Sequence, residues 1–134
     1  MQLSDFSDFL AAARARPEAQ RLLFVFAVAE LPQVHSPGQA QRFRQGQGGA
    51  LAPVMCVDKA VDELHGFAGL ADESRRTGQP WDMVFAAALA GQGGQAPQAS
   101  DIERALKMMI DAVHRGALDR FLAFDARGDA VRFS

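Results

Sequence analysis

Three stiff apolar runs constrain the fold of this chain more than any other feature. They are residues 22–31 (LLFVFAVAEL), 51–57 (LAPVMCV) and 83–90 (MVFAAALA). Each is apolar at odd and even positions alike, so each reads as a strand covered on both faces. Patterns of helical period separate the later runs, and strand–helix–strand units with short connections predict parallel pairing through right-handed crossovers. The expected architecture is a compact layered α/β domain over residues 1–134. Its sheet is expected to be mixed and mostly parallel, of four or five strands, flanked by helices and closed by a C-terminal β-hairpin.

The bulk numbers narrow the setting. A chain of 134 residues buries roughly two thirds of its unfolded surface and needs no covalent staple. The net charge of −2 argues against a nucleic-acid partner, which selects a basic stripe or excess. A single cysteine, Cys56, excludes an internal disulfide and suits a reducing compartment. The start, MQLSDFSDFL, lacks a basic stretch followed by a continuous apolar one, so no secretory signal is expected. The run at 22–31 carries Glu30 and is half the ~20 residues that a membrane-spanning helix needs. A cytoplasmic protein without a membrane partner follows as the expectation.

Along the chain, Ser4 is placed to cap a first helix that carries Phe6, Phe9, Leu10 and Ala13 and stops at Pro17. Residues 32–49 are rich in Gln and Gly, with two readings: a short helix opened by Ser36-Pro37 and closed by Gly46, or a mobile loop. Pro53 removes a ladder donor, which places it near an edge, at a bulge or at a strand start. Asp58 then turns the chain into a helix over about 59–76, with Gly66 and Gly69 read as points of close packing on the sheet. Ser100 to Glu103 form a capping box for a helix carrying Ile102, Leu106, Met109, Ile110 and Val113, ended by Gly116. The tail reads as a hairpin, 120–124 and 130–133, turning with the help of Gly128.

No catalytic constellation accompanies this pattern. The loop Gly91-Gln-Gly93-Gly94-Gln-Ala96 matches a dinucleotide fingerprint by letter, between a strand and a helix. The helix cap, Ser100, comes four residues after the motif, and Asp101 and Glu103 in the first turn repel an anion. A strand-to-helix connector is the favoured reading. If a small ligand binds, Gly91, Gly93, Gly94 and Ser100 are its candidate contacts, because open α/β sheets bind at the C-terminal ends of their strands. Cys56 has no nearby histidine base and is read as a buried structural thiol. His35, His65 and His114 show no metal-ligand spacing, and Asp62 with His65 is read as a solvated helix face. No metal or cofactor is expected. Arg42-Phe43-Arg44 offers cations and a docking anchor for a phosphate or an acidic partner, beside a plainer reading with Phe43 folded onto the core.

The segments RLLFVFAVAELP (21–32), GGALAPVMCVDK (48–59), DESRRTGQPWDMVFAAALAGQGG (72–94) and FLAFDARGDAV (121–131) are together similar to a family of short bacterial proteins of unknown role. Many of these carry the label "ribonucleotide reductase alpha subunit". The resemblance implies no site residues. The label fails on inventory, since that enzyme needs a thiyl-forming cysteine, a separate reducing cysteine pair and, in its common class, tyrosines, against one cysteine and no tyrosine here. The order of strand, Gly-rich turn, strand and Asp-led helix also resembles the N-terminal domain of SseB-type proteins, as an analogy of fold. Abundant apolar residues without a catalytic set give the functional expectation of a non-enzymatic module that works through protein contact, as a homo-oligomer or with another protein. The alternative is a small-ligand or nucleotide-binding domain using the loop 91–100.

Overall fold

The computed structural model describes residues 5–30 and 50–131. Helix α1 (Phe6–Arg14) leads into strand β1 (Gln20–Glu30). Strand β2 (Ala50–Ala60) is followed by a 3-10 turn (Val61–Glu63) and helix α2 (Phe67–Arg75). Strand β3 (Met83–Ala90), helix α3 (Ala99–Arg115) and the short strands β4 (Leu122–Asp125) and β5 (Ala130–Val131) complete the order.

All five strands form one sheet in the order β2-β1-β3-β4-β5. Every neighbouring pair is antiparallel. The expected mostly parallel sheet is therefore wrong, for a definable reason. The crossover through α2 does join two strands that run the same way, β2 and β3, as a strand–helix–strand unit should. Those two strands are not neighbours, because β1 lies between them and runs opposite to both.

The position of β1 explains why it is so apolar. Leu22, Phe24 and Phe26 point to one face, and Leu23, Val25 and Ala27 to the other, and none of the six is more than 2% exposed. On the first face α1 and α2 bring Phe6, Phe9, Leu10 and Leu70 against Leu22, Phe24, Val84 and Phe124. Rings interlock there edge to face: Phe6 lies 5.4 Å from Phe124 and 5.3 Å from Phe67, and Phe26 lies 5.0 Å from Trp81. Such pairs add to burial because ring edges and faces carry opposite charge. The Trp81 indole N–H donates to Ser74 Oγ at 2.7 Å, and Ser74 donates to the Ala71 carbonyl, so the buried polar atoms are partnered. On the second face α3 alone brings Met109 and Val113 against Leu23, Val25, Phe85 and Ala123.

Several local expectations shift. The cap of α1 is Asp5, whose carboxylate accepts the Asp8 N–H at 2.8 Å; Ser4 lies outside the described residues. The helix expected from 59 begins only at Phe67. Pairing with β1 carries β2 through Ala60, opposite Arg21, and the Arg21 guanidinium holds Asp58 at 2.6 Å, so the strand outlasts its apolar run. Gly69 does not pack closely on the sheet: an added Cβ there, or at Gly66, meets nothing within 4 Å. Pro53 sits where the β1–β2 register shifts, on the edge strand, as its missing donor requires. The terminal hairpin forms, and Gly128 turns it with φ of +87°. The helix expected between Ser36 and Gly46 lies outside the described residues.

Candidate functional site

Two adjoining hollows flank α3 on the side of β3. The first, of about 470 Å³, lies between the loop after β3 and the start of α3, and Gly91, Gln95, Pro97, Asp101 and Arg104 line it. The second, of about 680 Å³, runs along the helix toward Phe121, over Leu23, Ala87 and Met109. Leu89, Ala105 and Met108 border both. Met108 is 61% exposed, the exposed large hydrophobic residue among those described.

The Gly-rich loop is a tight turn closed on itself. Gln92 and Gln95 pair as an antiparallel bridge, with the Gln95 N–H on the Gln92 carbonyl at 3.0 Å. Gly93 and Gly94 form the tip with φ of +60° and +77°, the double positive φ of a type I′ turn. Gly91 is required for another reason: an added Cβ would stand 1.8 Å from the Gln95 carbonyl oxygen. Its own N–H donates to the Ala19 carbonyl at 2.9 Å. The loop folds back on itself through the Gln95 amide, and the Gly91 amide is spent on Ala19.

The start of α3 is likewise engaged. Gln98, and not the expected Ser100, is the N-cap, and its N–H donates to the Asp101 carboxylate at 3.4 Å. Ser100 is an exposed residue of the first turn. The helix thus supplies its own anion where a phosphate would stand. Of the four candidate ligand contacts, Gly91 borders the first hollow, Gly93 and Gly94 form the exposed turn beyond it, and Ser100 does not line it.

The other candidates separate. Arg42, Phe43, Arg44 and His35 lie outside the described residues. Asp62 sits in the 3-10 turn and His65 in the segment after it, so they share no helix face. His114 occupies the last turn of α3, where a cation meets the negative helix end. The pairs Arg21–Asp58 at 2.6 Å and Lys59–Glu73 at 2.6 Å tie the end of β2 to its neighbours.

Cys56 is exposed, and the expectation of burial is wrong. It pairs with Val25, which is fully buried, but it stands on the outer strand β2, which has a neighbouring strand on one side only. An apolar run on an edge strand looks in sequence like one in the middle of a sheet. A thiol reagent is expected to label Cys56 in the native protein at a rate within a few-fold of that in denaturant. Native labelling slowed a hundredfold would place the thiol back inside.

The fold and hollows define a three-layer α/β domain with an all-antiparallel sheet, thickly covered on one face and covered by a single helix on the other. No family model matches the chain, no curated protein matches it and no solved structure matches it. Among the described residues no helix is long and apolar enough to cross a membrane, and no three His, Cys, Asp or Glu side chains gather as a metal site.

Sequence reasoning missed the flank of α3 that carries Met108. The signal was present: Met108 stands outside the stripe of Ile102, Leu106, Met109 and Val113, with Arg104 and Asp111 about one helical turn to either side of it.

Proposed function

We propose that this chain is a non-enzymatic, cytoplasmic protein-contact module that self-associates through the flank of α3 bordering the two hollows. One observation carries the reading: Met108, at 61% exposure, stands at the junction of the two hollows, beside half-buried Leu89 and Ala105. Apolar surface gathered around one point and rimmed by charge marks a contact site better than scattered apolar residues do. Among the described residues the other large apolar side chains on that face are at least half covered, so this flank is where added burial brings most gain.

Light scattering at micromolar concentration is expected to give about twice the 14.4 kDa chain mass. Met108→Asp is expected to return the protein to a single-chain mass with its circular dichroism unchanged, because the residue is too exposed to support the fold. A wild type of one chain mass across the concentration range would remove self-association.

The second reading is a small ligand in the first hollow, held by Arg104. Its volume of about 470 Å³ falls in the range of ligand pockets, which supports the reading. The folded-back turn and the carboxylate of Asp101 weigh against an anion there. A thermal-shift screen of nucleotides and metabolites tests it, since a binder at 100 times its Kd adds about 2.7 kcal/mol.

A further inference from the structure

We propose that two copies of this chain dock α3 against α3, antiparallel, about a two-fold axis at Met108. The inference rests on the self-association reading above and adds its geometry. Helical spacing puts four charged residues on the Met108 flank: Asp101 and Arg104 lie seven and four positions before it, Asp111 and Arg115 three and seven after it. All four are exposed. Among the described residues none of them forms an ion pair with another side chain. Their polar contacts are with backbone: Asp101 accepts the Gln98 N–H, and Arg115 Nε donates to the Asp111 carbonyl at 3.4 Å. The adjacent flank differs, since Glu103 and Lys107 already meet there at 3.5 Å.

Read along the helix, the flank runs acid, base, Met108, acid, base. Reversed, it runs base, acid, Met108, base, acid. An antiparallel copy therefore sets opposite charges against each other at every station. Asp101 faces Arg115 of the second copy, Arg104 faces Asp111, and Met108 meets Met108. A parallel copy in the same register sets like on like. A two-fold axis demands this self-complementarity, because each contact occurs twice with its members exchanged. Ala105 lines the same flank on the side of the hollows, and its small side chain lets the two helices approach closely.

The test exchanges charges between copies. In Arg104→Asp, two acids oppose across the axis, twice over; in Asp111→Arg, two bases do. A mixture of the two variants pairs acid with base at both places. Sedimentation at low salt is expected to show a wild-type dimer. Each variant alone should weaken it about tenfold or more, and the equimolar mixture should recover to within a few-fold of wild type. Raising the salt should weaken the wild type, as screening requires. Neither exchange touches the core or the helix caps, and far-ultraviolet circular dichroism verifies that each variant is folded. A dimeric wild type whose variants associate as well as it does, or whose mixture does not recover, overturns the antiparallel arrangement and leaves self-association standing. A wild type that stays a single chain at ~100 μM overturns both.

Discussion

Replacing Phe24 by Ala is expected to lower the stability of this protein by about 3–5 kcal/mol, the largest loss from any single truncation proposed here. Phe24 is fully buried at the centre of β1, and its ring lies 6.0 Å from Phe6 and 6.2 Å from Phe9. Its removal forfeits the transfer of a large ring from water. It also leaves a void whose walls come from α1 and two neighbouring strands, and a sheet in full register cannot close it. Folded domains have only about 5–15 kcal/mol to lose. Urea unfolding followed by circular dichroism reads the effect as a shifted midpoint at constant slope. A loss under ~1 kcal/mol would mean that α1 does not pack on β1 as described.

Gly91→Ala should be the next most damaging change, by about 3 kcal/mol, at the upper end of what overpacking costs. The new methyl would stand 1.8 Å from the Gln95 carbonyl oxygen, and a backbone atom cannot swing aside as a side-chain tip can. The turn has to open, which endangers the Gly91 N–H bond to Ala19, just before the start of β1. Gly93→Ala is the matched comparison. Its φ is +60°, but the space around it is empty, so only the strain of a left-handed alanine remains, about 1–2 kcal/mol. Thermal unfolding of the two variants side by side gives the order. If Gly93→Ala proves the more damaging, the fold-back of the loop onto Gly91 is refuted.

The strands themselves were legible, and their directions were not. Continuous apolar runs mark β1, β2 and β3 to within a few residues, because a strand covered on both faces needs no polar side. Burial, however, carries no sign of direction. A central antiparallel strand between two helical layers has the same composition as a parallel one. The separation of β2 from β3 by a strand that comes earlier in the chain is a property of the whole sheet, and no local pattern holds it. The end of β2 was lost for a related reason. Asp58 and Lys59 read as a helix start, whereas their partners Arg21 and Glu73 lie 37 and 14 residues away and hold them in and beside the sheet. At the candidate site, the letters of the loop draw attention to Gly91, Gly93 and Gly94, and the backbone needs a glycine at each, for space at Gly91 and for positive φ at the other two. What each glycine serves is not legible there, because close approach of backbone to backbone leaves the same letters as close approach of backbone to phosphate. Met108 was passed over because its neighbour Met109 fits the buried stripe.

Trp81 gives the two faces of this molecule different visibility. It is the one tryptophan of a chain without tyrosine, so near-ultraviolet excitation selects a single indole. That indole is buried among Phe26, Phe67 and Ser74, on the side of the sheet covered by α1 and α2. Its emission colour therefore tracks the integrity of the aromatic layer. Events at the outer flank of α3 take place across the sheet from it. Folding and association can thus be followed in one sample by separate signals, the indole reporting the first and mass the second.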